Sequence, residues 1–149
     1  MFNTLIDKIV AVLNANTLIQ EVWNYEVAKF VGDPAVVVTP SANESDYDTT
    51  EENIRVYAFT VRVFVNRTAV IRQKGSADEV MRNVVSSIID DFDKDYTLTG
   101  IQSECPAGYT FINVFAVPST WGYINRESEY RVAEIMLRCR VSVDIGAIS

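Results

Sequence analysis

Residues 53–68 read NIRVYAFTVRVFVNRT. Tyr57, Phe59, Val61, Val63 and Val65 fall on alternate positions, and Arg55 and Arg67 flank them in the same phase. Ala58, Thr60, Arg62, Phe64 and Asn66 take the other phase. A period of two sends successive side chains to opposite sides of a sheet, so this stretch predicts a strand with one apolar face. It is far longer than the usual strand of about five to six residues. A strand of that length is expected to run past its own core.

Residues 129–145 repeat the pattern. Ala133, Ile135, Leu137, Cys139, Val141, Val143 and Ile145 form the inner phase, with Glu134, Arg138, Arg140, Ser142 and Asp144 in the outer one. Two other segments carry a helical period. Phe2, Leu5, Ile6, Ile9, Val10, Val12 and Leu13 predict an amphipathic helix over 3–14. A second helix starts at Ser76, where Ser76 and Glu79 have capping-box spacing, and ends around 91–93. Val80, Met81, Val84, Val85, Ile88, Ile89 and Phe92 form its wide apolar stripe.

Shorter elements fill the gaps. Ile19, Val22 and Trp23 read as a short extended piece, and Asp33-Pro34 as a turn into a β-branched strand over 35–39 that Pro40 ends. The polar stretch 41–52 reads as a surface loop. Residues 98–103 suggest a short strand, 109–117 a strand closed by Pro118, and 119–125 a turn or hairpin tip. The expected architecture is α+β: a mainly antiparallel sheet with both amphipathic helices packed on one face. No linker or repeat divides the chain, so residues 1–149 are expected to form a single domain.

The charge is −7, from 13 basic and 20 acidic residues. Nucleic-acid footprints are usually basic, so sequence-specific DNA or RNA recognition is a poor fit. The distribution is uneven. Arg55, Arg62, Arg67, Arg72 and Lys74 share a span with no acid, while Glu44, Asp46, Asp48, Glu51 and Glu52 just before it share a span with no base. No stretch is long and apolar enough to cross a membrane, and the N-terminus lacks signal-peptide organisation, so a cytoplasmic protein is expected.

Residue types for catalysis are scarce. There is no histidine, which removes the commonest general base and metal ligand. Cys105 and Cys139 form neither a disulfide framework nor a thiolate cluster, and Cys139 falls on an apolar strand face. Phosphate-binding glycine loops and serine elbows are missing. Asp90, Asp91, Asp93 and Asp95 could in principle serve carboxylate chemistry or calcium. Their spacing is not that of an EF-hand, and a solvated helix end is the plainer reading. Tyr57, Phe59, Tyr109, Phe111 and Phe115 could form a base-stacking sheet, but Tyr57 and Phe59 share a phase with valines and read as core. No enzyme activity, cofactor or metal is expected.

Several pieces in order resemble the tail terminator proteins of long-tailed bacteriophages, also called tail completion or minor tail proteins. They are the N-terminal helix, the run VWNYEVAKFVGDPAVVV over 22–38 and the long strand through Tyr57–Val63. The helix over 76–92, the hairpin around Trp121 and the closing stretch YRVAEI over 130–135 complete the order. The resemblance implies a hexameric ring that caps the finished tail tube, stops tube polymerisation and presents a surface to the head connector. Its partners would be further copies of itself, the tail tube protein and a neck or head-completion protein. It implies a virion location at the head-proximal end of the tail, assembly in the host cytoplasm, and a genome that only passes through the ring. It carries over no catalytic positions. Another neck ring or the tube protein itself fits the same plan. A small carboxylate-based hydrolase or ligand-binding domain is the alternative of a different class.

A closed ring needs two different patches that meet around it. Sorted charge supplies complementary patches. Arg62, with Arg55 or Arg67, is therefore expected at the subunit interface, against Glu44, Asp46, Asp48, Glu51 and Glu52, or Glu127 and Glu129, of the adjacent chain.

Overall fold

The long alternating stretch forms strand β4 (Glu52–Asn66), the strand around which the sheet is laid. The structure is a computed structural model, described over residues 1–27, 29–41, 44–46, 52–66, 77–123 and 130–147. On one side β4 pairs antiparallel with β6 (Tyr130–Asp144) over its whole length, from Glu52↔Asp144 to Asn66↔Tyr130. On its other side it pairs antiparallel with β2 (Ala35–Pro40), from Ala35↔Phe64 to Pro40↔Phe59, and then with β3 (Glu44–Asp46) at Ile54–Val56. β6 carries β5 (Tyr109–Tyr123) as an antiparallel edge, and β1 (Glu21–Trp23) runs parallel to β2 at the opposite edge. The sheet is thus mixed and mostly antiparallel.

Helix α1 (Phe2–Asn14) buries Leu5, Ile6, Ile9 and Leu13, and helix α2 (Ala77–Lys94) buries Met81, Val84, Val85, Ile88 and Phe92. Both stripes join one core with Val36, Val38, Tyr57, Phe59, Val61, Val63 and Val65, and with the inner phase of β6 from Ala133 to Val143. The two helices therefore lie on the same face of the sheet, as the patterns require. Each fully buried side chain of this size contributes about 1.5–3 kcal/mol relative to exposure.

The structure departs from the sequence reading in five places. First, residues 98–103 do not form a strand. Ile101–Glu104 is a 3₁₀ turn entered through Leu98 (φ 46°) and Gly100 (φ 88°), and both Leu98 and Ile101 are buried. A spacing of three would split them between two faces in a strand, whereas here a tight turn closed by the Ile101 amide donating to the Leu98 carbonyl at 2.9 Å lets both be buried. Second, the supposed loop over 41–52 contains β3, and Glu52 already belongs to β4. β2 stops at Pro40, which leaves the far end of β4 open on that side, and β3 fills it. Third, Pro118 does not close β5, which continues to Tyr123 with register shifts at Phe111/Asn113 and Pro118/Thr120. A proline is tolerated there because β5 is an edge strand. Fourth, Ile145 leaves the inner face, lies in the 3₁₀ turn Ile145–Ala147 and is exposed. Fifth, α2 runs on to Lys94; Ser76, the expected cap, lies outside the described residues.

The face away from the helices is covered at one end. Ala35, Val37, Phe64 and Val132 form a second small core, with Trp23, Phe30 and Tyr130 packed on it. The Phe30 ring stands 4.8 Å from Phe64 and 5.6 Å from Tyr130, centroid to centroid. The connection between β1 and β2 is held over this end by hydrogen bonds. Glu21 Oε1 accepts from Trp23 Nε1 at 2.8 Å, and Oε2 accepts from the Val31 and Gly32 amides at 2.9 Å each. Asp33 Oδ1 accepts from the Asn66 amide at 2.9 Å.

Candidate functional site

Arg62 and Arg55 sit on opposite faces of β4. Arg62, on the helix-free face, is engaged within its own chain. Its Nε donates to Glu134 Oε1 at 3.0 Å across the β4–β6 ladder, and Nη1 donates to Glu26 Oε1 at 2.8 Å. The Arg62 side chain remains 36% exposed. Arg55, on the helix side, donates from Nη1 to the hydroxyls of Tyr57 (3.3 Å) and Tyr109 (3.2 Å). The Tyr57 bond is the main cause holding its guanidinium above the usual range; partial burial opposes it and Tyr109 adds to it. Phe2 packs edge-on against Tyr57 with centroids 4.7 Å apart, so Arg55 caps an aromatic group at the foot of α1.

Among the expected acidic partners, Glu44 and Asp46 pair through β3 with Val56 and Ile54, and Glu52 pairs with Asp144 at the start of β4. Arg62 lies six positions beyond Val56 along the same strand, roughly 20 Å away at the strand rise. Within one chain β3, with Glu44 and Asp46, therefore lies well away from Arg62 along the strand. Arg67, Asp48, Glu51, Glu127 and Glu129 lie outside the described residues.

The aspartates at the end of α2 divide by role. Asn16 is buried where α1 ends. Its Nδ2 donates to Ser87 Oγ at 2.9 Å and Asp91 Oδ2 at 2.8 Å, and its Oδ1 accepts from the Leu18 amide at 2.9 Å. Asp95 Oδ1 accepts from the Thr99 amide and hydroxyl. Asp91 and Asp95 thus brace the chain, while Asp90 and Asp93 are exposed. A shallow cleft of about 380 Å³ lies between the helix ends, lined by Asn16, Ser87, Asp91 and Lys94 among others. Among the described residues no His, Cys, Asp and Glu side chains are grouped to hold a metal ion. Burial pushes the Cys139 thiol up to about 12, and burial also raises Cys105, so neither is activated as a nucleophile.

The aromatic residues follow the core reading only in part. Tyr57 and Phe59 are buried, and Phe111 packs against the core. Phe115 is not core. The register shift between Phe111 and Asn113 moves Val114 and Ala116 to the inner phase and sends Phe115 and Val117 to the helix-free face, where they are 48% and 52% exposed. No helix of the described residues is long and apolar enough to cross a membrane.

No protein-family model matches the sequence, and none of the curated proteins matches it. The fold is shared with a chain of a solved structure described as "Virion of native gene transfer agent (GTA) particle". The TM-score is 0.53 at 11% identity, over 95% of this chain and 96% of that one.

Proposed function

We propose that this chain is a structural virion protein of the tail: a terminator whose copies close into a hexameric ring on the tail tube, end tube polymerisation and offer the neck its attachment surface. The observation that carries the reading is the likeness to a gene transfer agent virion chain along almost the full length of both. One feature of the chain supports it: the apolar side chains of Phe115 and Val117 stand exposed on a sheet face that the helices leave open. Ring contacts in this reading include Arg62, with Arg55 or Arg67, against Glu44, Asp46, Asp48, Glu51 and Glu52, or Glu127 and Glu129, of the next chain. Arg62 meets Glu134 and Glu26 within its own chain and lies far from Glu44 and Asp46 along β4, so a contact between Arg62 and those acids would be one between chains.

The test is to add the purified protein to polymerising tail tubes and to image them. The expected result is a ring at one end and tubes of limited length. Tubes that grow as long as in its absence, with bare ends, overturn the terminator reading. Self-polymerisation into tubes would identify the tube protein instead.

A further inference from the structure

Among the described residues, half of the helix-free face carries no second layer. From β3 through β4, β6 and β5 one row reads Glu44, Val56, Arg140, Asn113; the next two, across β4, β6 and β5, read Ala58, Arg138, Phe115 and Thr60, Met136, Val117. Phe115 and Val117 are about half exposed, and Val56, Met136 and Arg140 are half-buried. Among the described residues no carboxylate pairs with Arg140. A guanidinium partly withdrawn from water beside apolar side chains gains most from a carboxylate brought in from outside.

The opposite imbalance stands on the helix side of the sheet, at the β5 edge. Asp90, Asp91, Asp93 and Asp95 crowd the C-terminal end of α2, where Lys94 is the one basic residue of that segment and Lys8 of α1 reaches the following turn at Gly100. The helix macrodipole already places partial negative charge at that end, so acids there are unfavourable and a cation offsets them. Asp90 and Asp93 point to solvent, and Tyr96 beside them is 57% exposed. Asp90 and Asp93 belong to a helix packed on one face of the sheet and Arg140 to the opposite face, and no ion pair joins them within one chain.

The geometry points to a contact between copies in which the acidic end of α2 (Asp90, Asp93, Tyr96) of one chain docks on the Phe115–Val117–Arg140 face of the next. It deepens the ring reading by naming two unlike patches, as a heterologous interface requires. Edge-to-edge strand pairing through β5 is disfavoured. The Val114 amide on that edge already donates to the Tyr96 carbonyl at 2.8 Å, and Pro118 and two register shifts interrupt the rest.

The experiment is sedimentation of the full chain as wild type, Arg140→Glu, Asp90→Lys/Asp93→Lys and the triple exchange, with circular dichroism to check the fold. Arg140→Gln and Phe115→Ser, which bring in no carboxylate, serve if Arg140→Glu does not fold, and are expected to weaken association in the same direction. Wild type should associate with rising concentration. Each charge reversal should weaken association by roughly tenfold or more, and the triple exchange should recover to within roughly threefold of wild type. Folded Arg140 and Asp90/Asp93 variants that associate like wild type overturn the contact, as does a triple exchange no better than its parts. A wild type that stays monomeric but caps tubes overturns this contact and spares the tail reading. A wild type that associates through these residues but ignores tubes does the reverse.

Discussion

Arg62 and Glu134 face each other across the β4–β6 ladder, with Nε 3.0 Å from Oε1, and Glu26 reaches the same guanidinium at 2.8 Å. The arginine thus ties the β1–β2 connection to the two longest strands. All three groups keep substantial exposure, so the arrangement contributes no more than about 1 kcal/mol. Arg62→Glu would set three carboxylates together, and like charges directly across a ladder are destabilising. The expected outcome is a fall of about 1 kcal/mol in unfolding free energy, with Arg62→Gln falling less. Urea titrations of the three proteins check this. If Arg62 also meets the next chain, Arg62→Glu weakens sedimenting oligomers, and added salt weakens wild-type oligomers in the same direction. Unchanged oligomers under both treatments reject the Arg62 interface.

The connection between β1 and β2 depends on Gly32 having no side chain. A Cβ there would stand 3.0 Å from Gln20 Cβ, 3.1 Å from Glu21 Cβ and 3.2 Å from the Gln20 carbonyl carbon. These are short-stemmed or backbone atoms that cannot swing away. Gly32→Ala should therefore destabilise the chain by about 1–3 kcal/mol through overpacking. The Glu21 carboxylate beneath it should show a pH signature. Partial burial raises its pKa, but hydrogen bonds from Gly32, Trp23 and Val31 together outweigh this and leave it below 4.5. A depressed carboxylate contributes stability above its unfolded value, and that stability is lost as pH falls through the folded value. The stability difference between wild type and Glu21→Gln should then be full near neutrality and shrink below about pH 4.5. Denaturation midpoints over a pH series measure it; a difference independent of pH would remove Glu21 from the account.

The two thiols should separate cleanly by reactivity. Cys139 lies on the inner phase of β6 with no exposure, and burial pushes its thiol up to about 12. Cys105 sits at the end of the 3₁₀ turn and is only half-buried. A thiol reagent at mildly alkaline pH should label Cys105 alone in the native protein, and Cys139 only after denaturant is added. Equal rates for both would mean that β6 opens readily, contrary to its pairing on both sides.

Much of the fold was legible because its strongest signals are long. Period-two alternation over β4 and β6 and two helical stripes place four elements and their buried faces. What stayed hidden depends on relations between segments. β3 has no apolar signal of its own and exists because β2 is shorter than β4. The turn at Leu98–Ile101 was misread because a pair spaced by three fits several local structures. The role of Phe115 turns on one irregularity at Asn113, which reverses the phase of the strand after it. Arg62 was legible as a charge that the main core does not use. Its partner Glu134, 72 residues away, became evident only from the register of β4 against β6.

Asn16 provides the sharpest test of how the two helices are held together. Its amide spends both donors on α2, at Ser87 Oγ and Asp91 Oδ2, and its carbonyl takes the Leu18 amide. Asn16→Ala leaves the Leu18 amide and part of Asp91 to solvent and should cost about 1–3 kcal/mol. Asn16→Asp keeps the acceptor for Leu18 but sets a second carboxylate against Asp91, so at neutral pH it should be worse than alanine. Protonating either acid restores a donor between them, so the defect of Asn16→Asp should lessen as pH falls into the carboxylate range. Pairing Asn16→Asp with Asp91→Asn returns one amide and one carboxylate to the same gap in exchanged positions. The double variant should recover much of the loss at neutral pH. Thermal unfolding of wild type, the single variants and the double variant completes the cycle. Additive losses, with no recovery in the double variant, would show that Asn16 and Asp91 act independently and that packing alone sets the helix ends.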